Sequence, residues 1–167
     1  MHGSFSIFLH LIGFGFLCTG LLGGWIVERR IRKESDWGIK LTMLKASRAL
    51  GLLTPVAAVI MLFTGIWNIL NLYPTEPSLW LTQGWLVAKV ILFAFLLVNG
   101  ALFGPIISRK RAALIRTLHE GNASDEAEQT VRIFSKNLTT FYLVQTLLLL
   151  VILSLSVFGG GMTPGAS

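Results

Sequence analysis

The sequence predicts an all-α integral membrane protein in which residues 1–167 form one bundle of four transmembrane helices. Hydrophobic residues make up 53% of the 167 residues and charged residues only 13%, whereas soluble proteins average about 25% charged. The charged residues are confined to short stretches, and a helix needs roughly 20 mostly apolar residues to cross a bilayer. The apolar runs that define the four predicted spans lie at about 5–27, 49–72, 85–107 and 138–158.

The first span has a regular seam of small residues. Residues separated by three or four positions share one face of a helix, and small residues mark close helix contacts in membranes. We therefore expect this face to pack against the other helices. The span ends at Glu28-Arg29-Arg30-Ile31-Arg32-Lys33, which predicts a cytoplasmic stop. The seam consists of His10, Gly13, Leu17, Gly20 and Gly24.

The second span has a repeat of seven residues, formed by Gly51, Ala58 and Gly65. Arg48 lies one turn before this repeat and Asn68 nearly one turn after it. The repeat predicts that the face carrying Arg48 and Asn68 packs inside the bundle.

The third span contains Lys89, the one basic residue inside any of the four runs. Such a residue costs about 2.5–3.5 kcal/mol at the middle of a bilayer, and it is a functional candidate by default. Leu96, Gly100 and Gly104 continue the stripe that begins at Lys89, and Gly104-Pro105 predicts the end of the span. Ser124, followed by acidic residues, predicts the start of the helix that leads into the fourth span.

The basic residues predict the topology. Of the 14 Lys and Arg residues, 13 lie in the stretches 28–48 and 108–137, which the positive-inside rule assigns to cytoplasmic loops. Both termini are then outside, on the periplasmic face of a bacterial inner membrane. Because the net charge of +6 comes from residues that flank spans, the predicted partner is the lipid bilayer and not nucleic acid.

This topology predicts a polar layer near the outer surface. Spans one and three run antiparallel, and helical rise places His10 and Lys89 each roughly 6–8 Å below that surface. Asn68, with Trp67 beside it, reaches the same depth at the end of the second span. We therefore expect His10, Lys89 and Asn68 to form one cluster.

Two interpretations of His10 stay open, an interhelical hydrogen bond and an axial haem ligand. A second axial histidine from this chain is not expected, because His119 lies in a cytoplasmic loop and His2 in the outer tail. Lys89 either extends its ammonium group to the interface or binds an anionic group such as a haem propionate. Copper binding has weaker support, because the soft-ligand types have no tight spacing. They are Met1, His2, His10, Cys18 and Met61.

The residues also resemble a known family. His10-Leu11-Ile12-Gly13, with Gly20-Leu21 further on, is similar to the first helix of the HemJ-type protoporphyrinogen IX oxidases. Gly84-Trp85-Leu86-x-x-Lys89 matches the opening of their third helix, and Arg48 and Asn137 precede the second and fourth spans as they do there. The related copper-resistance CopD domain shares parts of this layout.

The resemblance implies a protein that binds haem b in the inner membrane, with His10 on the iron. The predicted polar layer then makes Asn68 a candidate cofactor-binding residue. Lys89 and Arg48 would be the basic residues needed for oxidation of protoporphyrinogen IX. The chain departs from the family at Ile26, where the family has arginine, and at Leu138, where it has an acid. A non-catalytic accessory subunit of a larger respiratory or photosynthetic complex, or of a homo-oligomer, is therefore an alternative, and a copper-handling CopD-like protein is another.

Overall fold

A computed structural model describes residues 2–73, 76–121 and 124–159, with the side chains of residues 2–4 and 77 left aside. Four long helices account for most of this part of the chain, and a short 3₁₀ helix, Pro77–Thr82, joins the second to the third. Each long helix is long and apolar enough to cross a membrane, which confirms the all-α, four-helix prediction. The long helices are α1 (His2–Lys33), α2 (Trp37–Leu72), α3 (Gly84–His119) and α4 (Asp125–Phe158).

The helices are longer than the predicted spans. They contain 32 to 36 residues, so each is about 50 Å long, whereas the hydrocarbon core of a bilayer is only about 30 Å thick. The stretches 28–48 and 108–137, which the sequence assigned to loops, are mostly helical, because charged residues end the membrane span without ending the helix. Pro105 likewise lies inside α3.

Short polar connections separate the helices at the basic end. Asp36 caps α2 by accepting a hydrogen bond from the backbone N–H of Ile39 at 2.9 Å. Ser124 caps α4 by accepting from the N–H of Ala127 at 3.1 Å, which confirms the predicted helix start. Gly121 has a φ of 89°, a conformation that favours glycine. The sequence Glu120-Gly121-Asn122-Ala123-Ser124 predicts a turn, of which Asn122 and Ala123 lie outside the described residues.

The four helices form a ring in chain order. Each packs against its two neighbours, and in the described part of the chain the diagonal pairs α1–α3 and α2–α4 make no close backbone contact. The apolar core has two parts. One lies in the predicted membrane region and includes Leu17, Met61, Leu96 and Leu149. The second lies at the basic end and consists of Ile31, Leu44, Ile115, Leu118 and Val131, so the bundle continues beyond the predicted spans.

The predicted seam of α1 is confirmed, with Leu17 fully buried and Gly13, Gly20 and Gly24 buried. The predicted stripe of α2 is wrong at Gly51, which is exposed and has open space in place of a Cβ. The buried face of α2 consists instead of Leu44, Ala57, Met61 and Thr64.

The physical reason is complementarity. A glycine on α1 leaves a hole that a larger side chain of α2 fills. A Cβ added to Gly13 would lie 2.9 Å from Met61, and one added to Gly20 would lie 2.8 Å from Thr54. A glycine stripe on both helices would leave this interface poorly packed.

The orientation in the membrane is a prediction, and cysteine labelling tests it. In a Cys18→Ser background, we expect Ser78→Cys to react with a membrane-impermeant maleimide in intact cells. Ala113→Cys should react only after the membrane is opened, because it lies in the basic stretch. Both positions are exposed, so reversed accessibility would mean that the termini face the cytoplasm.

Candidate functional site

Two hydrogen bonds join α1 to α2 at the end of the bundle that is predicted to lie outside. Ser6 Oγ donates to Asn68 Oδ1 at 2.7 Å, and His10 Nδ1 lies 2.7 Å from Thr64 Oγ1. These residues are one turn apart on each helix, so they form two adjacent polar rungs. We call Ser6, His10, Thr64 and Asn68, together with Lys89 of α3, the outer polar layer.

The partners of Thr64 favour the tautomer of His10 that carries its proton on Nδ1. Thr64 Oγ1 lies 2.6 Å from the carbonyl oxygen of Ile60, and a hydroxyl has one hydrogen to donate. With that hydrogen on Ile60, Thr64 accepts from His10, so Nδ1 carries the proton. Nε2 therefore presents a lone pair, and it makes no hydrogen bond within residues 2–73, 76–121 and 124–159. The histidine is only half-buried.

Lys89 lies opposite His10 across the ring of helices. It is half-buried and close enough for its charge to act on the imidazole. Neither of the two ion pairs in the described part of the chain includes it. The outer polar layer thus combines an imidazole with a cation that pairs with no carboxylate of the described residues.

The structure does not bring all the predicted site residues together. Trp67, the neighbour of Asn68, is 50% exposed and faces outward. Arg48 is exposed and lies 16 residues before Thr64 on α2, a distance of about 24 Å along the helix. Lys89 and Arg48, the two predicted catalytic residues, therefore lie far apart, because Arg48 is in the basic half of α2 and Lys89 is in the outer polar layer.

A buried ion pair in the centre of the bundle is not among the features predicted from the sequence. Glu28 of α1 and Arg111 of α3 are each 1% exposed and form a salt bridge across the ring diagonal. Arg111 Nη1 also donates to Ser135 Oγ of α4 at 3.2 Å. This group, the buried charge cluster, lies between the two parts of the apolar core.

A signal for the cluster was present in the sequence. Glu28 comes four residues after Gly24, so it continues the predicted seam of α1. Arg111 comes seven residues after Gly104, so it continues the predicted stripe of α3. The positive-inside rule assigns both stretches to cytoplasmic loops, because it uses charge to infer topology and takes no account of burial.

A second missed polar contact ties α3 to α4. Gln145 is 1% exposed, and its Nε2 donates to the backbone carbonyl of Leu96 at 3.1 Å. Its Oε1 has no partner in the described residues. The amide approaches closely because Gly100 has no side chain; a Cβ there would lie 3.2 Å from Nε2.

The copper interpretation gains no support from the described residues. Within them, no group of three or more His, Cys, Asp and Glu side chains lies together. Met1 and the side chain of His2 lie outside this part of the chain.

Comparisons with family models, with curated proteins and with solved structures find no match.

Proposed function

We propose that this chain is a multi-pass protein of the bacterial inner membrane that binds haem b at the outer polar layer and takes part in electron transfer. The observation that carries the proposal is the 2.7 Å contact between His10 Nδ1 and Thr64 Oγ1, with no hydrogen-bond partner for His10 Nε2 among the described residues. The resemblance of the His10 helix and of the Gly84–Lys89 stretch to the HemJ-type oxidases supports the same assignment.

The donor set fits the group. A histidine that ligates a metal almost always donates its other ring N–H to a neighbouring acceptor, which fixes the tautomer and the ring orientation. Thr64 supplies that acceptor here. Lys89 would match the negative charge of a haem propionate. Asn68 accepts from Ser6 through Oδ1, which leaves its two amide hydrogens to donate to a carboxylate.

The roles of the residues follow from this placement. His10 holds the iron through Nε2, Thr64 orients the imidazole, and Lys89 neutralises a carboxylate. Haem, when bound, supplies one-electron redox chemistry. Arg48 makes no contact with this ligand, because it lies about 24 Å from Thr64 along α2.

An absorption spectrum of the protein purified in a mild detergent tests the proposal. We expect a Soret band that shifts on reduction and that is absent in His10→Ala. Thr64→Val should lower the haem affinity about 10- to 100-fold, because loss of the partner of a ligating histidine has effects of that size on metal sites. His119→Ala is the matched control, since His119 is exposed at the opposite end, and it should retain the full band.

Other outcomes identify the alternatives. A purified protein with no chromophore, in association with other membrane subunits, would contradict haem binding and identify an accessory subunit. Stoichiometric copper in metal analysis would identify a CopD-like protein. If the chromophore is present, oxidation of protoporphyrinogen IX by the wild type but not by Lys89→Met assigns the oxidase activity.

A further inference from the structure

The outer polar layer does not explain a cavity at the basic end of the bundle. It has a volume of about 630 Å³ and opens between the end of α1, the start of α2 and the first turns of α4. Four cations and two carboxylates line it, together with an aromatic ring, two serines and two aliphatic side chains. The charged residues are Arg32, Lys40, Arg132 and Lys136, with Glu34 and Glu128.

The two carboxylates are already engaged by other groups. Glu34 Oε1 accepts from the backbone N–H groups of Ser35 at 2.8 Å and Asp36 at 3.1 Å. Glu128 lies 3.9 Å from Arg132, one turn away on α4. Arg32, Lys40 and Lys136 take part in neither ion pair found in the described residues, so the cavity has an excess of positive charge.

A buried hydroxyl forms part of the cavity lining. Ser135 is only 3% exposed, and its Oγ accepts from Arg111 Nη1 at 3.2 Å. No acceptor for its own hydrogen is found among residues 2–73, 76–121 and 124–159. A buried hydroxyl usually donates as well as accepts, so an acceptor oxygen inside the cavity would complete this group.

The surrounding helices also favour an anion. Trp37 is the first residue of α2, and Glu128 lies in the first turn of α4. The N-terminus of a helix carries a partial positive charge, and both of these residues near helix starts line the cavity. The Trp37 ring also holds the ammonium group of Lys40, whose Nζ lies 3.6 Å from the ring centroid.

We propose that this cavity binds a phosphate-bearing anion, whose phosphate group is held by Lys40, Lys136 and the hydroxyl of Ser135. The volume is within the range of about 300–1,000 Å³ that is usual for small-molecule sites, so an organic group has room beside the phosphate. Two sources share this chemistry. One is a soluble phosphorylated metabolite. The other is the headgroup of an anionic phospholipid, because the cavity lies just beyond the predicted end of the first span.

Calorimetric titration of the full chain in neutral detergent tests the proposal, with inorganic phosphate and pyrophosphate as probes. We expect Lys40→Gln and Lys136→Gln each to weaken binding about tenfold, the value of one charge-assisted hydrogen bond. Ser135→Ala should weaken it as well. Lys45→Gln is the matched control. Lys45 is exposed on the same helix as Lys40 but does not line the cavity, so this variant should bind the probes with wild-type affinity.

A second experiment distinguishes a soluble metabolite from a lipid headgroup as the source of the phosphate. The protein is placed in nanodiscs of phosphatidylcholine, alone or mixed with phosphatidylglycerol, and its thermal stability is measured. Binding of the soluble probes that Lys40→Gln weakens identifies a soluble ligand. Stabilisation by phosphatidylglycerol alone, lost in Lys40→Gln and Lys136→Gln, identifies the lipid. If no probe binds, or if Lys45→Gln has the same effect as the cavity variants, the proposal is wrong. The probes and variants of this test concern only the basic end, whereas the haem spectrum reports on the outer polar layer, so the two proposals can fail independently.

Discussion

Arg111→Met will lower the free energy of unfolding by about 3–5 kcal/mol, because it leaves Glu28 buried without its partner. The carboxylate of Glu28 is 1% exposed, and Arg111 is the one cation that pairs with it in the described part of the chain. Methionine is shorter than arginine but similar in volume, so the loss reflects the uncompensated charge more than a cavity. Unfolding with a denaturing detergent, followed by tryptophan fluorescence, measures the effect.

The double variant Glu28→Leu, Arg111→Met separates charge from packing. With both charges removed, no buried group is left unpaired, and replacement of a whole buried ion pair by apolar residues is often close to neutral. We therefore expect the double variant to recover most of the lost stability. Arg116→Met is the control. Arg116 is exposed and lies five residues after Arg111 on α3, so its replacement should change the stability little. A double variant as unstable as Arg111→Met would show that the pair contributes through its shape.

The position of the buried charge cluster indicates what it does for the fold. The backbones of α1 and α3 do not touch, so the long Arg111 side chain makes the contact between these diagonal helices through the centre. Ser135 adds α4 to the same group. The cluster joins three of the four helices at the boundary between the two parts of the core, and it therefore holds those helices in one register.

The helices themselves could be predicted from the sequence, because four apolar runs of sufficient length leave few other folds for a membrane chain. The seam of α1 was predictable for the same reason, since its glycines are spaced as one helical face. The packing face of α2 was not, because a face that fills glycine holes carries ordinary apolar residues such as Met61. Charge counting also concealed the buried role of Glu28 and Arg111.

The depth of the outer polar layer in the membrane could be predicted from the sequence, but its hydrogen-bond partners could not. Helical rise alone placed His10 and Asn68 at the same level, and the structure brings both onto the α1–α2 interface. Their partners, Ser6 and Thr64, could not be chosen from the sequence, because hydroxyl side chains are common in these helices and bond mostly to their own backbone. Whether His10 and Asn68 hold a cofactor stays a prediction.

Gly24→Ala is expected to have the second largest effect on stability, a loss of about 1–3 kcal/mol from overpacking. A Cβ on Gly24 would lie 2.7 Å from the ring of Tyr142. That ring cannot move freely, because it packs edge-on against Phe141 with the ring centroids 5.4 Å apart. Phe141 in turn lies on Gly104 of α3, where a Cβ would be 3.0 Å away.

The aromatic pair of α4 therefore packs against Gly24 of α1 and Gly104 of α3. A methyl group at either glycine would push the pair toward the other helix. Gly15→Ala is the matched control on α1, because a Cβ there meets nothing within 4 Å and alanine favours the helix. It should be neutral or slightly stabilising in the same detergent titration. A double-mutant cycle with Tyr142→Leu isolates the contact: the cost of Gly24→Ala should fall when the ring is removed. An unchanged cost would mean that the close approach of α1 and α4 does not depend on this glycine.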